Sequence, residues 1–322
     1  MSGSRIYGAY ALCIVSLTAL ALLSVSIGVA QFDLRQLFTN PADLELLLLS
    51  RGPRTLAALL TGASLAVSGV IMQLLVRNKF VEPGTTGATE AAMIGLLVVT
   101  LLAPGWPIFA KMLAACITSL IGILGFLALS RVLPPTQPLL VPLVGLIYSG
   151  VLGAGVTFVA FQTDLLQYLG TWLNGGFSGV LAGRYELLWI AGGVTIAAYF
   201  AADRFTVAGL GPTTSRALGL PYRQVMAIGV TVIAIVTSLV VVTVGLLPFI
   251  GLVVPNIVSR LMGDNLRRSL PVVAAMGAGL VLFCDILGRV IRYPYEIPAG
   301  TVFGILGGII FLWLLLGRRR NA

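Results

Sequence analysis

Uncharged apolar runs divide the chain, and their lengths set the elements to expect. A helix crosses the ~30 Å hydrocarbon core of a membrane in about 20 residues. Runs near that length fall at residues 6–30, 55–76, 88–103, 112–130, 139–161, 187–202, 224–244, 246–262, 269–288 and 298–317. Prolines and glycines place several boundaries. Pro134, Pro135 and Pro138 delay the fifth run until about Leu139, and the third begins near Gly87. Gly245 and Pro248 split the stretch 224–259, which is too long for one crossing. The pattern predicts an all-α polytopic membrane protein with about ten transmembrane helices in one unit spanning 1–322.

The first run follows Arg5 and ends in Gly28-Val29-Ala30, which could pass for a signal cleavage site. A signal core is ~7–15 residues long, so this longer run reads as a retained span. Two connections, Gln31–Arg54 and Asp203–Arg223, are too long for simple turns. A third, Asp164–Arg184, contains Gly170, Gly175, Gly176, Gly179 and Gly183, and that density argues for a broken or partly re-entrant segment.

Composition names the solvent. The chain is 58% hydrophobic and 10% charged, where soluble domains carry about 25% charged residues. Disorder, a secreted disulfide scaffold and an ordinary cytosolic enzyme are excluded. Cys13, Cys116 and Cys284 sit far apart in apolar runs, so neither a disulfide framework nor a thiolate metal site is implied. The net charge is +9, and thirteen of the twenty basic residues fall at the termini or in the loops near 77–84, 131–138, 203–223 and 260–268. Those segments share one side of a ten-span chain. The positive-inside rule makes that side, and both termini, cytoplasmic.

The chemistry is spare. No Gly-x-x-x-x-Gly-Lys-[Ser/Thr] loop exists to cradle ATP, and no histidine or acidic cluster exists to hold a transition metal or run hydrolysis. Glu90 and Asp285 are the only acids expected in or near a span, and they keep an ion-coupled secondary transporter open as an alternative. In Arg51-Gly-Pro-Arg54, Pro53 suits a first helical turn, and Arg51 and Arg54 would project from one side of the helix mouth. They either snorkel to headgroups or receive an acidic partner. The small residues Gly62, Ala63, Ser64, Ala66, Ser68 and Gly69 admit close approach of a neighbouring helix. Gly211–Arg223 reads as a short helix, capped by Thr213 or Thr214, ended by Gly219 and stopped by Pro221. A helix so short needs a surface to hold it, either a partner protein or the headgroups.

Taken in order, these stretches resemble the permease subunits of bacterial ABC importers for ferric siderophores, haem and vitamin B12, from about Arg51 to Leu316. The resemblance rests on R-x-P-R (51–54), G-A-x-L-A-x-S-G-x-x-x-Q (62–73), R-N…P-G-x-x-G (77–87) and W-L-N-G-G-F (172–177). It continues through A-L-G (217–219), G-L-L-P-F-I-G-L-V-V-P (245–255), R-L-M-G-D-N-L-R-R-S-L-P (260–271), D-I-L-G-R (285–289) and E-I-P-A-G (296–300). Lys79, Pro248 and Asn256 depart from the usual wording and suggest a subfamily, most like permeases for catecholate or mixed-carboxylate siderophores.

The resemblance implies a type II ABC importer permease in the bacterial cytoplasmic (inner) membrane, without enzymatic activity of its own. It implies a second permease subunit, identical or not, and two ATPase subunits that bind the ATP and Mg, leaving no cofactor in this chain. A periplasmic or lipid-anchored binding protein would deliver the substrate, and no nucleic acid is involved. Arg51, Arg54, Arg289 and the adjacent Arg292 would receive the binding protein. Residues 203–223 would be the coupling segment, with Thr213, Thr214, Arg216, Ala217, Leu218, Gly219 and Leu220 seated in an ATPase groove. Thr136, Gln137, Pro138, Pro142, Trp172, Asn174, Gly175, Gly176 and Phe177 would line the path and its gate. Asp285 is expected to pair with Arg289, one turn on.

Overall fold

The computed structural model describes residues 3–28, 41–134, 139–263 and 265–317, and all regular structure among them is helical. In chain order the helices are α1 (Gly3–Ser26), α2 (Pro41–Leu46), α3 (Gly52–Val76), α4 (Ala88–Leu102), α5 (Ile108–Ser130), α6 (Leu140–Gln162) and α7 (Leu166–Leu173). They continue with α8 (Leu187–Phe200), α9 (Ala202–Gly209), α10 (Pro212–Ala217), α11 (Tyr222–Thr243), α12 (Ile250–Met262), α13 (Leu266–Val290) and α14 (Ala299–Gly317). Six stretches are long and apolar enough to cross a bilayer, within α1, α2–α3, α5, α6, α11 and α13, and α4, α8, α12 and α14 are shorter apolar helices. The all-α expectation of about ten spans is met.

α3 is the axis of the bundle, because its small residues let backbones approach. A Cβ on Gly62 would lie 2.3 Å from the carbonyl oxygen of Gly277 in α13, and one on Gly69 would lie 2.1 Å from that of Gly251 in α12. Only glycine fits at either crossing. α13 makes the most extensive contact with α3, and α8, α11 and α12 also pack on it. α1 runs parallel to α13. Tyr10 Oη donates to the Arg268 carbonyl at one end (2.9 Å), and Ser24 meets Arg289 at the other.

Two features depart from the expected boundaries. First, the described part of the long 31–54 connection, residues 41–54, is helical: α2 runs through a π turn (Leu47–Arg51) directly into α3. The Gly52 N–H caps Leu47, and a Cβ on Gly52 would meet that carbonyl at 2.7 Å. Second, α4 and α12 start inside the body. α12 begins at Ile250, later than the apolar run, beside Gly69 and well within the length of α3. The chain after α3 also turns back inward, through a 3-10 turn at Pro83–Thr85, before α4 starts.

Helix starts buried in this way leave N–H groups that lipid cannot satisfy. Glu82 supplies the missing acceptor. Its carboxylate takes the backbone N–H of Thr85 in a capping box and that of Phe249 at the start of α12 (2.8 Å). Glu82 is 3% exposed, an inner acid beyond the expected Glu90 and Asp285. Its loop dips into the protein instead of staying at the surface, where Arg77 and Lys79 remain.

Candidate functional site

At the end of the bundle where α1 and α13 finish and α3 starts, the arginines of the R-x-P-R and D-I-L-G-R motifs converge. They do not project from the helix mouth. The π turn directs Arg51 inward, where Nη1 donates to the Val25 carbonyl at the end of α1, and the residue is 6% exposed. Arg289 is 5% exposed and donates to the Ser24 and Ile27 carbonyls (2.8 and 2.7 Å) and to Ser24 Oγ. Asp285 explains why Arg54 and Arg289 turn inward. It pairs with Arg289 Nη2 at 2.8 Å, the expected i,i+4 contact, and with Arg54 Nη2 at 2.7 Å. A buried carboxylate needs such partners, and two guanidinium groups supply them.

Arg54 divides its fork. Nε and Nη2 hold Asp285, while Nη1 holds Glu296 at 2.8 and 3.0 Å. Glu296 lies in the link between α13 and α14 and also accepts from the Ser178 hydroxyl. Partial burial pushes the Glu296 carboxyl up, but the Arg54 and Ser178 hydrogen bonds outweigh it, and the group sits below the usual carboxylate range. Arg292 is the one expected docking cation among these four that stands fully outward, stacked 5.7 Å over Tyr295.

At the opposite end, α9 and α10 form a short helical pair between α8 and α11. α10 starts on Gly211 (φ +99) with Pro212 in its first turn, so neither Thr213 nor Thr214 is its cap, and both lie inside the helix. It closes in a Schellman motif: Gly219 (φ +76) donates to the Arg216 carbonyl and Leu220 to that of Ser215 (both 2.9 Å). Ser215 is buried, and its hydroxyl bonds the Val207 and Gly211 carbonyls, tying α10 to α9. Thr213, Thr214, Arg216, Ala217, Leu218 and Gly219 are exposed, Leu218 by 63%, and Leu220 is half-buried. An apolar side chain is thus held outward on a rigid two-turn knob.

The comparisons identify what this arrangement belongs to. Residues 13–317 match the FecCD transport family. The chain belongs to that family. The petrobactin import system permease protein YclN of Bacillus subtilis is 43% identical over 96% of this chain and 98% of its own. The petrobactin import system permease protein FatD of Bacillus anthracis is 37% identical over 97% and 92%. A solved structure described as of the metal-chelate ABC transporter type, in an inward-facing conformation, superposes with a TM-score of 0.80 at 22% identity, covering 98% of this chain and 99% of that one. That likeness shows the fold.

The remaining expected residues of this FecCD permease lie along α6 and in the segment that follows it. The Trp172–Phe177 turn begins in the last residues of α7, with Phe177 buried, Asn174 exposed, and Trp172 and Gly176 half-buried. It is seated on the α11–α12 break, where Leu246 N–H donates to the Trp172 carbonyl (2.7 Å) and Gly176 N–H to that of Val244 (2.9 Å). Gly175 (φ +21) accepts from Gly300 at the start of α14 (2.8 Å), and a Cβ there would meet the Leu246 carbonyl at 1.9 Å. The Asp164–Arg184 stretch is therefore a short helix followed by a seated turn. Pro142 stands in the first turn of α6, whose face is mostly exposed. Thr136, Gln137 and Pro138 lie outside the described residues. Glu90, in the first turn of α4, faces Gly153 of α6. Both oxygens of Asp285 are held by arginines, which leaves it unsuited to carrying a coupling ion.

Sequence reasoning missed Glu82, Ser178 and the role of Glu296. Glu82 carries a signal, since Glu-Pro-Gly-Thr places a hydroxyl three residues after an acid and a proline at the first turn. The Ser178–Glu296 contact joins segments far apart and carries none.

Proposed function

We propose that this permease is one of two membrane subunits of an ATP-driven importer that moves an iron–siderophore chelate into the cytoplasm. In this reading the chain is a single transmembrane domain with both termini cytoplasmic, and 203–223 is its coupling segment. The observation that carries it is the outward Leu218 on the Schellman-closed α10, within a family whose near relatives are named import system permeases. The chain itself has no nucleotide loop, so the energy must enter through a partner, and α10 is the rigid apolar projection a partner groove would take. The substrate class follows the petrobactin systems. Arg54 and Arg292 receive acids of the binding protein, with Arg51 and Arg289 holding the platform beneath them. Such contacts steer encounter and register more than they add affinity. The Trp172–Phe177 turn and the exposed face of α6 line the path against the second permease.

The test is uptake by proteoliposomes holding the permease with its ATPase and binding protein. Labelled ferric siderophore should accumulate only with hydrolysable ATP. Accumulation driven by a proton gradient without ATP would overturn the mechanism, and preference for haem or vitamin B12 would overturn the substrate class.

A further inference from the structure

The two acids that share Arg54 are unequal. Asp285 is 2% exposed and gripped by a second arginine, whereas the Glu296 side chain is 26% exposed. Arg54 meets Asp285 with Nε and Nη2 and meets Glu296 with Nη1 alone. A third carboxylate approaching from outside can therefore take Nη1 while the Asp285 fork stays intact. Glu296 is also more than a neutralising charge. It holds the Ser178 hydroxyl, one residue beyond the Trp172–Phe177 turn. Four residues later, Gly300 N–H bonds the Gly175 carbonyl of that same turn. The link between α13 and α14 thus grips the turn at two points, and one of them runs through the acid bound to Arg54.

We propose that Glu296 occupies, in the resting permease, the place on Arg54 that an acidic side chain of the binding protein takes on docking. The exchange releases Ser178 and loosens the Trp172–Phe177 turn. This rests on the docking role given above to Arg54. Arg54 keeps a carboxylate partner throughout, and the displaced Glu296 is already partly solvated, so the exchange needs no buried charge to be stranded. Docking in this way passes a local contact at the surface to the turn seated on the α11–α12 break.

The experiment uses the complete complex in lipid nanodiscs, with docking affinity measured across salt and ATP hydrolysis measured with and without binding protein. Glu296→Gln removes the internal competitor. It should tighten docking about two- to fivefold at low salt, the effect of one exposed ion pair, and raise hydrolysis in the absence of binding protein. Ser178→Ala touches no charge and should also raise binding-protein-independent hydrolysis. The docking role is tested separately by neutralising acids on the binding protein, which cannot disturb the permease fold. If that leaves affinity unchanged, the docking role falls and the exchange with it. If affinity drops but Glu296→Gln neither tightens docking nor raises basal hydrolysis, docking stands and the exchange is overturned. Should Glu296→Gln fail to fold, Ser178→Ala decides alone, and basal hydrolysis no higher than the parent's overturns the proposal.

Discussion

Asp285 shows how little of a charged residue's role lies in its own surroundings along the chain. Its pairing with Arg289 is legible because four residues on a helix bring the two together. Its pairing with Arg54 is not, because 231 residues separate them and only the α3–α13 crossing makes them neighbours. The same crossing turns a cation that seemed aimed at headgroups into the centre of a buried network. Replacing Asp285 by Asn should leave Arg289 without its carboxylate and Arg54 with Glu296 alone, at a cost of about 3–5 kcal/mol. Thermal unfolding of the detergent-purified variant should show it as a clear loss of melting temperature, and Asp285→Glu should recover part. A variant melting with the parent would mean that the network contributes nothing to the fold.

Among the elements, helices were legible where a run of about 20 apolar residues decides the outcome alone. Starts set by other elements were not. The π turn before α3 and the late start of α12 both answer to backbone groups that the linear pattern does not show. The small-residue stripe on α3 was legible as packing, but which of its glycines touch backbone was not. Gly62→Ala and Gly69→Ala should each cost about 1–3 kcal/mol, since their added methyls meet carbonyls and not flexible side chains. Gly150 and Gly155 on α6 have nothing within 4 Å, and alanine there should change stability by no more than about 0.5 kcal/mol. Melting curves of the four variants separate the two classes. α10 behaves differently again, because Gly219 is demanded by its φ of +76 and not by any neighbour.

For the whole molecule, the consequence of an outward α10 is that its surface can be altered without touching the fold. Leu218→Asp should abolish uptake and uncouple or prevent ATPase association, while melting temperature and membrane yield stay with the parent. Normal uptake by this variant would show that the knob rests on headgroups. The mid-body start of α12 has a different consequence, in time. Its thirteen residues span about 20 Å, too short to cross a ~30 Å core unaided. The acid that caps it lies 167 residues upstream. At ~5–20 residues per second, Glu82 leaves the ribosome roughly 8–33 s before Phe249. Throughout that interval a carboxylate destined for the protein interior lacks the Phe249 N–H that it accepts in the finished protein. The centre of this permease is therefore among the last parts of it to be finished, and a stall in synthesis before α12 leaves a buried acid without the helix start it caps.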